Sequence, residues 1–219
     1  MSGETAMGVT PGTGRLPGCS DHETQACRAF ALTLVRSAGT VLVGEKPAAL
    51  FSFFSGCPRA ACCSHGCVSS VIHTFARALP AHGVRLEILG SREGRFSLLA
   101  WRPRLVGEIL RDQARTAFLA AAGYDTSGAE ALVASFSRRL AAYYAGQTRS
   151  FPHEVGILLG YPLEDVLGFM GGGEETYRGQ WRVFGDADAA RRRFERLEQA
   201  ERLCRARYAA GETLASLIA

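Results

Sequence analysis

Lysine is nearly missing from this chain. Of its 25 basic residues one, Lys46, is lysine and the rest are arginine. Such a bias reads first as the mark of a GC-rich genome rather than of function. Long apolar runs are missing too. Nothing approaches the roughly 18 uninterrupted apolar residues that a membrane helix needs, so no membrane partner is expected. The first twenty residues have no charged segment followed by an apolar core, so no secretory leader is read and the expected location is cytoplasmic. There is no GxGxxG, Walker A or GxSxG motif and no internal repeat, which removes the familiar dinucleotide, P-loop, hydrolase and solenoid readings. Strong charge of either sign is also absent. A net charge of +4 is mild, and nucleic acid is not an expected partner.

What is present suits one domain. With 219 residues, 47% of them hydrophobic, the chain can bury a real core. Residues 1–20 are rich in Gly, Thr, Pro and Ser and read as a flexible tail; residues 21–219 read as a single globular α+β domain. The expected architecture is a small, mostly antiparallel sheet of about three or four strands packed by about six helices.

The densest pattern is Ser150 to Met170, SFPHEVGILLGYPLEDVLGFM. Ser150 is a suitable N-cap and Pro152 falls in a first turn. Phe151, Val155, Leu158 and Leu159 recur at helical spacing, and Gly160 stops that helix. Tyr161-Pro162 opens a second helix with Glu164 and Asp165 in its first turn, where the helix dipole favours negative charge. Its apolar stripe is Leu163, Val166, Leu167 and Met170, and Gly171 to Gly173 end it.

His153 lies on a different face of the first helix from the apolar residues, in line with Gly156 and Gly160. Two glycines leave a shallow trough beside the imidazole. Either another part of the chain fills that trough and His153 is structural, or a ligand or metal does. The His153-Glu154 pair is no zincin motif, because a second His four residues on is absent.

Two further segments hold candidate chemistry. SGCPRAACCSHGC at 55–67 places Cys57, Cys62, Cys63 and Cys67 near His65, in a chain of seven cysteines. Four thiols and an imidazole are metal-ligand chemistry, for zinc or an iron–sulfur cluster. The C-x4-C-C-x3-C spacing matches no standard site, so a thiol-rich loop without metal is the expected reading. Lys46 sits in Gly44-Glu45-Lys46-Pro47; one lysine kept among so many arginines suits a role that a compact ammonium can fill and a guanidinium cannot, or it is simply a solvated turn.

The rest reads coarsely. Residues 21–43 and 68–79 are helical, and 48–54 is an apolar run of strand or short helix. Val84–Leu89 and Phe96–Arg102 are strands joined by a hairpin loop at Ser91 to Gly94. Pro103 starts a helix that runs to Gly123, and Ser127–Gly146 is another. Tyr177–Phe184 is a strand, and Gly185-Asp186 caps a last helix over 187–209 with Phe194, Leu197, Cys204 and Tyr208 on one side. That helix mixes many arginines with Glu195, Glu198 and Glu201, the pattern of a solvated, ion-paired face. A phosphate- or nucleic-acid-binding surface is the minority reading.

HEVGILLGYPLEDVLGFM at 153–170 and GQWRVFGD at 179–186 resemble domain-of-unknown-function family 3793, a bacterial family with a "HEIG-x-FLGYPLEDV-x-GFI" motif and a "G-x-W-x-V-(F/Y)-GD" segment. GEKPAALFSF at 44–53 and VRLEILGSREGRFSLLAWRPRL at 84–105 are similar to further elements of it, and the likeness covers about residues 28–210. The resemblance implies the fold family and no catalytic residues. Its members' association with ferrous-iron transport and flavodoxin genes implies an iron-related role as one expectation.

The leading expectation is a small-ligand, cofactor or metal-associated accessory protein, with the cofactor unidentified. The site is expected near His153, Glu154 and Tyr161, with Lys46, Arg102 and Trp181 as neighbours. The alternatives are an enzyme using His153 or Glu154 as general acid or base and a protein-interaction module docking through the last helix.

Overall fold

Phe96, Leu98 and Ala100 of one strand face one apolar core, while Leu99 and Trp101 of the same strand face another. That alternation is the period-2 pattern of a strand buried on both sides, and it places this strand, β3 (Arg95–Trp101), at the centre of the molecule. A computed structural model describes residues 21–54 and 66–218, with side chains for 25–54 and 68–218. The expected flexible tail at 1–20 lies outside the described residues, as do Cys57, Cys62, Cys63, His65 and the side chain of Cys67.

The described elements run in chain order as α1 (Asp21–Leu42), β1 (Ala48–Phe54), α2 (Gly66–Ala78), a 3-10 turn (Leu79–His82), β2 (Arg85–Arg92) and β3. Then come α3 (Pro103–Arg111), α4 (Gln113–Ala121), α5 (Ala129–Tyr144), α6 (Val155–Leu158), α7 (Leu163–Gly171), the short pair β4 (Tyr177–Arg178) and β5 (Arg182–Val183), α8 (Ala187–Ala209) and α9 (Leu214–Leu217). The architecture is α+β. β1, β3 and β2 form an antiparallel sheet in that order, and β4–β5 is a separate antiparallel hairpin. Among the described residues no helix is long and apolar enough to cross a membrane.

Local chemistry explains several of these elements. β2 and β3 are joined by Glu93 and Gly94, both at positive φ (51° and 77°), the two-residue turn that suits a twisted hairpin. The apolar face of α1 (Phe30, Leu34, Ala38, Val41) packs with α2 and the sheet, and Cys204 and Tyr208 of α8 join the same core. On the other side of the sheet, Leu99 and Trp101 meet Val106, Leu132, Phe136 and Ile157 from α3, α5 and α6. A third cluster of Trp181, Val183, Ala190, Phe194 and Leu197 ties the hairpin to α8.

The structure differs from the sequence reading in four places. The helix expected from Pro103 to Gly123 breaks at Asp112, whose extended backbone lets its carboxylate accept from the N–H groups of Ala114 (3.0 Å) and Arg115 (3.1 Å) and so start α4 afresh. The strand expected over 177–184 is a hairpin with two residues in each arm.

The helix expected to start at Ser150 starts at Val155, its first bonds running in i→i+3 fashion from Pro152 onward. Val155, Gly156, Ile157 and Leu158 are all buried, so this turn is packed all round and has no solvent face for a stripe to define. Finally, α7 turns Asp165 and Val166 inward and leaves Leu167, Phe169 and Met170 at 47%, 42% and 45% exposure, whereas the sequence pattern placed Leu167 and Met170 in the core. The reason for that rotation is the carboxylate of Asp165.

Candidate functional site

Asp165 is 2% exposed, and its carboxylate is fully occupied. One oxygen accepts from the indole Nε1–H of Trp181 at 2.8 Å; the other accepts from the backbone N–H of Phe184 (2.7 Å) and of Gly185 (3.1 Å). A buried carboxylate is tolerated when donors surround it in this way. These bonds pin the β4–β5 hairpin to α7 and set the Trp181 ring in place. Trp181 stacks on Tyr161 with ring centres 4.5 Å apart and planes 20° apart, and Phe194 meets its edge at 4.4 Å.

The stacked pair walls a cavity of about 230 Å³. Phe151, Val155, Leu159 and Val166 supply apolar lining, Gly156 and Asp165 also border it, and Phe169, His153 and Arg182 are its solvent-exposed members. His153 lies 4.9 Å from Phe169 and 5.4 Å from Phe151, ring centre to ring centre. The Arg182 guanidinium stands 5.7 Å from the Phe169 ring and 5.2 Å from that of Phe184. Its Nε donates to Glu175 at 2.5 Å, and Arg178 donates to the same carboxylate. Those bonds hold the carboxyl of Glu175 down at about 2. The result is an aromatic slot with two nitrogen-bearing side chains at its mouth.

The trough expected beside His153 is filled by protein. A methyl group at Gly156 would lie 2.8 Å from Val166 Cγ2 and 3.1 Å from Tyr161 Cδ2; one at Gly160, whose φ is +86°, would lie 2.8 Å from Pro47 Cδ. Both glycines therefore serve close approach of the chain to itself.

Of the residues singled out from sequence, His153, Tyr161 and Trp181 border one cavity. Glu154 turns away from it. It accepts from the hydroxyl of Tyr124 at 3.3 Å, and with His153, Arg139 and Met170 it borders a second cavity of about 330 Å³. Burial and this carboxylate push the Tyr124 hydroxyl up to about 12. Lys46 lies on the far side of the wall, its ammonium 5.7 Å from the Tyr161 ring centre and without a hydrogen bond or ion pair among the described residues; its backbone N–H donates to the carbonyl of Thr40 at 3.1 Å. Burial, then repulsion from Arg193, lowers its pKa, while Glu201 opposes the change.

Arg102 is not brought to this group. Its buried guanidinium donates to the carbonyls of Val41 (2.6 Å) and Leu42 at the end of α1, satisfying acceptors that a helix terminus leaves open. Phe169, Arg182 and Asp165 escaped the sequence reading. Phe169 sat beside an expected apolar stripe, Arg182 in an expected strand, and Asp165 was assigned to the helix dipole. Among the described residues no three His, Cys, Asp or Glu side chains gather as metal ligands.

No curated protein and no solved structure matches the chain. The geometry above falls within the segment that resembled a bacterial family in sequence, and the match to that family extends over residues 34–218. The chain belongs to the family described as "Protein of unknown function (DUF3793)".

Proposed function

We propose that this protein binds a small molecule in the aromatic slot between α6, α7 and the β4–β5 hairpin. The ligand is a flat, largely apolar ring carrying one acidic group. The observation that carries this reading is the slot itself: about 230 Å³ walled by the stacked Tyr161–Trp181 pair, with His153 and Arg182 at the mouth. Apolar lining with a few convergent polar groups is the usual composition of a small-molecule site. The volume suits a single- or double-ring compound. A flat ring stacks well against an aromatic wall, and an acid group has two nitrogen donors to meet at the entrance.

The site is read as a binding site rather than a reaction centre. Within the slot His153 has no free carboxylate beside it: Glu154 does not line it and accepts from Tyr124, and Asp165 is taken up by the hairpin. The test is a panel of aromatic carboxylates (benzoate, salicylate, indole-3-carboxylate, nicotinate) in thermal melts of the whole chain. Saturable stabilisation by at least one of them, weakened in His153→Ala without loss of basal stability, supports the reading. No stabilisation by any, or equal stabilisation of His153→Ala and Phe169→Ala, overturns it.

A further inference from the structure

Behind the Tyr161–Trp181 wall the charge balance is unusual. Lys46 and Arg193 each face one ring of the stacked pair, at 5.7 Å from Tyr161 and 5.8 Å from Trp181. Like charges brought together in a partly buried place repel, and such placement is stable only when something opposite in sign offsets it. Among the described residues the Arg193 guanidinium makes one hydrogen bond, from Nη2 to the carbonyl of Gly160 at 2.7 Å. Its Nε is fully buried and has no hydrogen-bond partner among the described residues. Buried donors are normally satisfied, so an orphan on a guanidinium calls for an explanation.

A cavity of about 360 Å³ opens beside this arginine, between the first turns of α8 and the start of α7. Arg192, Arg193 and Arg196 line one side of it. Two of its carboxylates are already engaged: Asp165 by the hairpin, and Asp186 by the N–H groups of Asp188 and Ala189 that it caps. Glu164 also borders it and makes no hydrogen bond or ion pair among the described residues. Arg196 has one ionic partner, Glu45, at 3.3 Å. Elsewhere α8 follows the ordinary rule for a mixed-charge surface helix, with Arg191 paired to Asp188 and Arg205 to Glu201, each at 2.6 Å.

We infer that this cavity is an anion site for a phosphate-bearing ligand, with Arg193 and Arg196 as its direct donors and Lys46 behind them raising the local potential. Two guanidiniums offer a phosphate forked donor pairs that a carboxylate matches only in part. The free carboxylate of Glu164 gives a hydroxyl on the same ligand an acceptor, which favours a phosphomonoester over the free ion. Burial, then repulsion from Arg196 and Arg115, lowers the pKa of Arg193, while Asp165 and Glu45 oppose the change. The inference stands on α8 and not on the aromatic slot, so each succeeds or fails without the other.

The probe is inorganic phosphate, titrated calorimetrically into the full chain against sodium chloride at equal ionic strength, with thermal melts alongside. The expected result is saturable binding that chloride does not reproduce, weakened about tenfold, or about 1.4 kcal/mol, in Arg196→Gln. Lys46→Met is expected to weaken it by a smaller factor. Arg193→Gln tests the same site but also gives up the bond to Gly160; Arg196→Gln, exposed and surface-paired, keeps the test clear of folding defects. Absence of saturable binding up to about 10 mM phosphate, or equal binding by Arg196→Gln and the parent, overturns the inference.

Discussion

Trp181 donates its indole N–H to Asp165 at 2.8 Å, across sixteen residues of sequence and from a hairpin to a helix. This bond orients the wall of the aromatic slot, and with those from the N–H groups of Phe184 and Gly185 it holds the Asp165 face of α7 inward. It follows that the fold and the site share a residue, and that disturbing Asp165 disturbs both.

Asp165→Asn is the informative change. The amide oxygen can keep the two bonds from Phe184 and Gly185, but the amide nitrogen then faces the indole N–H, donor against donor. Leaving that buried pair unsatisfied costs about 1–3 kcal/mol, and Asp165→Ala, which orphans all three donors, costs roughly 3–5 kcal/mol. Chemical denaturation followed by tryptophan emission checks this. An Asn variant as stable as the parent would remove Asp165 from its central place.

Gly156 and Gly160 test whether the trough beside His153 is closed by the chain itself. Gly156→Ala pushes into Val166 and Tyr161 and is expected to cost about 1–3 kcal/mol. Gly160→Ala meets Pro47 and also forces a side chain into a left-handed conformation, so at least about 2 kcal/mol is expected. Melting temperatures of the two variants decide the matter. Unchanged stability in both would mean that the trough is open and that His153 faces a second ligand site.

Acid should loosen the hairpin before it unfolds the rest. The carboxyl of Glu175 lies at about 2 in the folded chain, below its ordinary 4.5, because Arg178 and Arg182 donate to the ionised form. A depressed carboxyl contributes stability that is complete above the ordinary value and is lost as pH falls toward the folded one. Between about pH 4.5 and pH 2, Trp181 emission is therefore expected to change, and Glu175→Gln is expected to flatten that change. A profile identical in parent and variant contradicts the assignment.

Much of the fold was legible because it rests on short-range patterns. Glu93-Gly94 marks its own turn, Asp186 marks its own helix start, and the inward side of α8 at Phe194, Leu197, Cys204 and Tyr208 repeats at helical spacing. Of the candidate site, the grouping of His153, Tyr161 and Trp181 around one cavity was legible. What stayed hidden depends on partners far along the chain. The rotation of α7 follows from bonds that Asp165 makes with residues sixteen to twenty positions on, and no local rule reads those. Arg102 looked available for a ligand, but its partners are carbonyls sixty residues back. The glycine trough left two readings open for the same reason, since Pro47 and Val166, which fill it, lie outside the helix.

The most direct test of the central claim uses the two tryptophans. Trp101 is buried in the sheet core, where its indole N–H lies 3.4 Å from Glu87; Trp181 walls the slot. In a nitrogen–proton correlation spectrum each gives one indole resonance, assigned by Trp181→Phe. Titration with an aromatic carboxylate that stabilises the chain is predicted to shift the Trp181 resonance saturably and leave that of Trp101 in place, with the effect weakened in His153→Ala. A ligand that stabilises the protein while leaving Trp181 unmoved, or that moves both resonances alike, would contradict the account.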